Sequence, residues 1–126
     1  MPPELHELEA RHQGPLIKFS GDEPAIHYEL WLHRGRARAE IGLHFETRDA
    51  ERNARLLEYV ADDLPFLKDA LGQGLEAEPW DKGWTRLYIS YPLERLDSAT
   101  QTRFAEAFAT FIETLEPLRR EATEAM

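Results

Sequence analysis

The chain has no cysteine among its 126 residues. That excludes disulfides, thiolate nucleophiles and thiolate zinc sites, and it makes the cytoplasm the default compartment. Lysine is scarce, occurring only at Lys18, Lys68 and Lys82. Positive charge is therefore carried by arginine, whose planar guanidinium favours stacked and bidentate contacts over a mobile cationic fringe. There is no apolar run of the roughly 18 residues a membrane helix needs. The opening MPPELHELEARH lacks the basic and apolar regions of a secretory signal, so a cytoplasmic protein without membrane attachment is expected. Internal repeats and low-complexity tracts are also missing.

A hydrophobic fraction of 42% and a charged fraction of 31% suit one small domain with a single apolar core and much solvated surface. The domain is expected over residues 1–126. Its core lies within 25–122, and the 1–24 segment is open to a short helix (Pro3 to Arg11) or strand (Leu16 to Phe19). The net charge of −9 disfavours nucleic acid and anionic membrane, because both are held mainly by clustered Lys and Arg.

Two stretches alternate with the period of a half-buried strand. Ile26, Tyr28, Leu30 and Leu32 share one face, with His27, Glu29, Trp31 and His33 on the other. From Arg36 to Glu46 the apolar set is Ala37, Ala39, Ile41, Leu43 and Phe45. A turn at Arg34-Gly35 would place Leu32 opposite Ala37 and Ile26 opposite Leu43, merging the two apolar faces. A second hairpin through Asp81-Lys82-Gly83 would set Trp80 opposite Trp84, Glu78 opposite Arg86 and Ala77 opposite Leu87. Pro79 then belongs where no ladder donor is required, so the Leu75 to Trp80 strand lies at an edge or is frayed near its turn.

Between the hairpins, Arg48 to Leu71 reads as helix. Thr47 is its cap, Ala50, Ala54, Leu57, Ala61 and Leu64 form its apolar stripe, Gly72 ends it, and Pro65 kinks or divides it. Ser98 to Gln101 matches a capping box. It opens a helix with Phe104, Phe108, Phe111, Ile112, Leu115 and Leu118 on one face, carrying on past Pro117 toward Glu121. The expected class is α+β: an antiparallel sheet of two hairpins with helices on one face, in ββαββα order, with an extra N-terminal helix or strand possible.

The hairpin YELWLHRGRARAEIGLHF, the passage ALGQGLEAEPWDKGWTRLYIS and the ending FIETLEPLRREA together resemble a bacterial family of unknown function. That family is often found C-terminal to restriction-endonuclease-like domains, and the resemblance covers roughly residues 25–122. It implies a possible accessory role beside DNA-defence or repair proteins and offers no catalytic residues to carry over. The 126 residues contain no nuclease-like domain of their own.

With helices on the Ile26, Leu30 and Ile41 side, the opposite sheet face would hold Trp31, Trp80, Trp84, Tyr88, His27, His33, Arg36, Arg38 and Arg86. Tryptophan is enriched where protein meets protein. Trp31, Arg38, Trp80, Trp84, Arg86 and Tyr88 are therefore the candidate interface, for a second copy of the chain or another protein. Local cover is the competing reading, with Trp31 on Arg38 and Trp80 on Trp84. Base stacking on this face is opposed by Glu29, Glu40, Glu76 and Glu78, and a small-ligand site is a further alternative.

His27, Glu29, His44 and Glu46 could approach one another across the first hairpin. Imidazole with carboxylate is a reasonable set for zinc, although solvated or stacked histidines account for the same residues, and neither metal nor cofactor is assigned. His6 and His12 read as surface residues. No nucleophile elbow, phosphate-cradling glycine loop or dinucleotide fingerprint occurs. Glu78, Asp81 and Lys82 lack the spacing of a metal-dependent nuclease. A non-catalytic, self-associating interaction domain is the expectation.

Overall fold

A computed structural model of the chain describes residues 9–13, 16–33, 37–93, 95 and 97–125. The elements are β1 (Glu9–Gln13), β2 (Leu16–Ser20), β3 (Ile26–His33), β4 (Arg38–Phe45), α1 (Ala50–Val60), α2 (Leu64–Leu71), β5 (Glu76–Pro79), β6 (Thr85–Pro92) and α3 (Ser98–Ala125). The strands form one antiparallel sheet in the order β1-β2-β3-β4-β6-β5. The architecture is α+β, as the alternation implies. The ββαββα order is not the observed one. Two further strands precede the first hairpin, so Glu9 to Arg11 is strand where a helix was expected, and Pro65 divides the long helix in two. The remainder of the Pro3 to Arg11 stretch, like the Arg34-Gly35 turn and Arg36, lies outside the described residues.

The second hairpin pairs in the expected register, Glu78 with Arg86 and Pro79 with Thr85, and β5 is an edge strand. Its turn places Lys82 and Gly83 at φ 63° and 79°. A Cβ on Gly83 would stand 2.7 Å from that of Ala50, so this position needs glycine both for its backbone and for its approach to α1. The first hairpin is displaced by two residues. Leu32 pairs with Ala39 and Ile26 with Phe45, because the strands close at His33 and Arg38 and leave Ala37 in the connection at φ 51°. An even shift keeps every side chain on its face.

The core lies between the sheet and the helices. Phe104, Phe108, Phe111, Ile112 and Leu115 of α3 are buried, with Phe108 edge-on to Phe19 and Phe111 edge-on to Tyr28. Of the stripe expected on α1, Leu57, Ala61 and Leu64 pack partly buried against the core, while the fully buried positions of the helix are Asn53, Leu56 and Val60. Asn53 is fully buried and supplies the reason. Its amide accepts from Thr47 N and Oγ1 and donates to the carbonyls of Thr47 and Gly83, so this polar residue turns α1 toward the loop and the hairpin turn. Caps differ by similar local chemistry. Asp49 rather than Thr47 caps α1, and Asp97 rather than Ser98 accepts from Thr100 N at the start of α3. That helix continues through Pro117 to Ala125. Among the described residues no helix is long and apolar enough to cross a membrane.

Candidate functional site

The helices all pack on one side, which leaves the other sheet face as a grid of polar and aromatic side chains. Register fixes its rows. Ser20, His27, His44, Arg86 and Glu78 lie side by side across five strands, and Lys18, Glu29, Gly42, Tyr88 and Glu76 form the next row. Trp31 and Glu40 lie opposite each other in a third. Although no described helix covers this face, His27, Glu29, Glu40 and His44 are all buried on it.

Arg86 organises one half. Its guanidinium stacks 4.1 Å from the Trp80 ring centre and 3.8 Å from that of Tyr88, and it donates to Glu78 at 2.8 Å and to Glu40 at 3.3 Å. Glu40 also takes Arg38 at 3.4 Å, and its Oε2 lies 2.7 Å from His33 Nε2 without hydrogen-bond alignment. Trp31 leans on His33 with ring centres 3.9 Å apart, not on Arg38. The Trp80 ring meets His44 edge-on, not Trp84, and its buried Nε1 has no hydrogen-bond partner. Trp84 borders a depression beside Ala50, Leu57 and Thr85 at α1, with the Lys82 ammonium 5.3 Å from its ring. The structure thus joins Trp80, Arg86 and Tyr88, ties Arg38 to Arg86 only through Glu40, and sets Trp31 and Trp84 apart.

The other half is a histidine–glutamate cluster. The two-residue register shift puts His27 directly opposite His44, with their rings parallel and 5.4 Å apart. His27 Nε2 lies 2.8 Å from Glu29 and its Nδ1 donates to the Pro24 carbonyl at 3.1 Å. His44 Nδ1 lies 3.1 Å from Glu46 and its Nε2 is 3.4 Å from Glu29. Burial works to raise the Glu29 carboxyl. The His27 hydrogen bond and the nearby His44, His27 and Lys18 charges outweigh it and hold the group below the usual glutamate range. Gly42 makes room for this arrangement, since a Cβ there would approach His44 Nε2 to 3.0 Å and the Tyr88 Cβ to 3.2 Å.

Two further features escape pattern reading. Glu116 is buried on α3, accepts from the Tyr28 hydroxyl at 3.0 Å and is paired with Arg119 and Arg120. Its only sequence signal is a carboxylate next to the apolar stripe. On the helical side, Tyr59 and Phe66 are 38% and 61% exposed and line a groove of about 600 Å³ with Val60, Leu67 and Leu118, rimmed by Asp62, Asp63 and Glu121. Phe66 follows Pro65 and lies off the apolar stripe, which is the one hint the sequence carries.

No protein-family model matches the chain, and no curated protein matches it. Among solved structures it is similar to a chain in the structure of the HopA1–SchA chaperone–effector complex. The identity is 18% over 82% of this chain and 77% of that one, with a TM-score of 0.41. A likeness of that degree says nothing of function.

Proposed function

We propose that this domain is a non-catalytic protein-interaction module that docks a short amphipathic helix with basic flanks in the groove between α1, α2 and α3. The observation that carries this reading is the placement of Phe66 and Tyr59. The described residues include three exposed large hydrophobic side chains, and these two of them adjoin in one groove. Grooves of this kind take a partner helix through apolar anchors spaced at i, i+3 or i+4, and i+7. Charge selects among partners. The Tyr59 hydroxyl feels Glu121, Asp62 and Glu124, and Asp63 adds to the rim, so lysine or arginine beside the anchors would be attracted and an acidic partner repelled. A second copy of this chain, with its own net charge of −9, is a poor occupant for that rim.

The test is display selection of a helical peptide library on the full chain, scored against Phe66→Glu, a substitution at an exposed position. Enriched peptides should share an apolar helical stripe flanked by Lys or Arg and should lose at least about tenfold in affinity on the variant, as expected for a central aromatic anchor. Peptides that bind Phe66→Glu equally well, or no enrichment at all, would sink the proposal.

Self-association through the sheet is the second reading. It rests on Trp31, which is 37% exposed on the open face. Sedimentation of wild type and Trp31→Ala decides it. A dimer that becomes monomeric on substitution supports this reading, and a monomeric wild type removes it.

A further inference from the structure

The open face holds a second arrangement that docking does not use. We infer that His27, Glu29, His44 and Glu46 form a site for one first-row divalent transition-metal ion, of which Zn²⁺ fits best. One ligand atom from each residue can be chosen so that all lie within 4.8 Å of one another. Two separations that share His27 Nε2, 2.8 Å to Glu29 and 3.9 Å to Glu46, lie either side of the roughly 3.3 Å edge of a tetrahedron with metal–ligand bonds near 2.0 Å. Two imidazole nitrogens and two carboxylates suit zinc and its neighbours, whereas calcium and magnesium prefer all-oxygen shells.

Hydrogen-bond accounting supplies the second argument. Each ring faces an acceptor at both of its nitrogens: Pro24 O and Glu29 for His27, Glu46 and Glu29 for His44. A neutral imidazole has one N–H. A neutral ring therefore points one lone pair at a carboxylate, a repulsive arrangement that either a second ring proton or a shared metal ion relieves. A metal ion satisfies both rings at once. The Pro24 carbonyl then acts as the outer partner that fixes His27 with Nε2 inward, the usual support for a metal-bound histidine.

Charge points the same way. On this face the described side chains of Glu29, Glu40, Glu46, Glu76 and Glu78 oppose only Lys18, Arg38 and Arg86. Within the cluster itself, the Glu29 and Glu46 carboxylates supply two negative charges that one divalent cation would balance. Side-chain exposures of 4% and 6% for the histidines, 10% for Glu29 and 17% for Glu46 describe a closed site. Closed sites of four protein ligands are structural rather than catalytic, and this one would staple β3 to β4 where Ile26 pairs with Phe45.

The experiment is titration of the tag-free, chelator-treated full chain with Zn²⁺ by calorimetry and with Co²⁺ by visible absorption. One equivalent of each should bind, Co²⁺ should give the intense bands of a four-coordinate site, and Zn²⁺ should raise the melting temperature. His27→Gln and, on the more exposed rim, Glu46→Gln should each weaken binding at least about tenfold, while His12→Gln leaves it unchanged. The absence of saturable one-equivalent binding would overturn the site. So would binding that persists in a folded His27→Gln or Glu46→Gln protein, or that disappears in His12→Gln.

Discussion

Replacing Arg86 by alanine separates an aromatic face that holds itself together from one kept open for a partner. The guanidinium lies between Trp80 and Tyr88 at 4.1 and 3.8 Å, and a half-buried cation–π contact contributes about 1 kcal/mol. Its bond to Glu78 counts for little, because that side chain is 34% exposed and regains water. Glu40 is only 9% exposed, and losing a partner there costs about 1–2 kcal/mol, tempered by Arg38 and His33. Arg86→Ala should thus destabilise by about 3–4 kcal/mol. Arg86→Lys keeps the charge but loses the planar stack and the fork, and should cost about half as much.

Urea unfolding followed by tryptophan fluorescence reads both variants, and Trp80 reports the loss of its neighbour. For a domain of this size, 3 kcal/mol corresponds to a fall in melting temperature of about 10 °C. An Arg86→Ala protein within about 0.5 kcal/mol of wild type, the ordinary range for surface substitutions, would refute the reasoning. Trp80 and Tyr88 would then be free for a partner, and the variant's defect should appear in association instead.

Asn53→Ala removes four amide hydrogen bonds at a fully buried position and leaves Thr47 and Gly83 groups unpaired. It should cost about 3 kcal/mol or more in urea unfolding, and a loss below 1 kcal/mol would show that water replaces the amide. Glu116 carries a pH signature. Burial works to raise its carboxyl, but the Arg119 hydrogen bond and charge, the Tyr28 hydroxyl and Arg120 prevail and hold it below its ordinary 4.5. The resulting stability is fully present above that value and is lost as pH falls through the lower folded-state value. The stability advantage of wild type over Glu116→Gln, on the order of 2 kcal/mol near pH 7, should therefore shrink toward about pH 3, and a pH-independent difference would contradict the linkage.

How much of this was legible depends on what pattern reading counts. Alternation identifies strands and faces but is indifferent to shifts of two. The first hairpin was therefore placed on its correct face in the wrong register, while the Asp81-Lys82-Gly83 turn fixed the second outright. Apolar stripes find helices held by apolar contacts. The α1 stripe was read one position off centre, with Leu57, Ala61 and Leu64 only partly buried, because its central buried position is Asn53, a residue that counts as polar and is buried for its four bonds. Alternation also gives out at a turn, which is why Trp84 beside α1 was expected with Trp80. Of the two N-terminal strands, β2 was legible as the apolar stretch Leu16 to Phe19, whereas β1 carries too few residues to show a period. The histidine–glutamate set was legible because all four residues lie on one face of a single hairpin. Its compactness was not, since that depends on the two-residue shift that brings His27 opposite His44.

The groove and the metal cluster lie on opposite sides of the sheet, and this separation makes their tests independent. The cluster is built on β3, β4 and the first residue beyond β4. Its nearest route to the helices is Glu46, then Thr47, then Asn53 near the start of α1. The groove is built at the far end of α1, with Tyr59 and Val60, the start of α2 and the last turns of α3. Among the described residues, side chains at one site share no partner with those at the other, and distant sites without shared partners act additively. Failure of Phe66→Glu to abolish peptide binding would leave the metal site standing, and an absence of Zn²⁺ binding would leave the groove standing. If peptide affinity did respond to Zn²⁺, the connection through Thr47 and Asn53 is the physical link able to carry it, and the peptide would have to change Zn²⁺ affinity by the same factor.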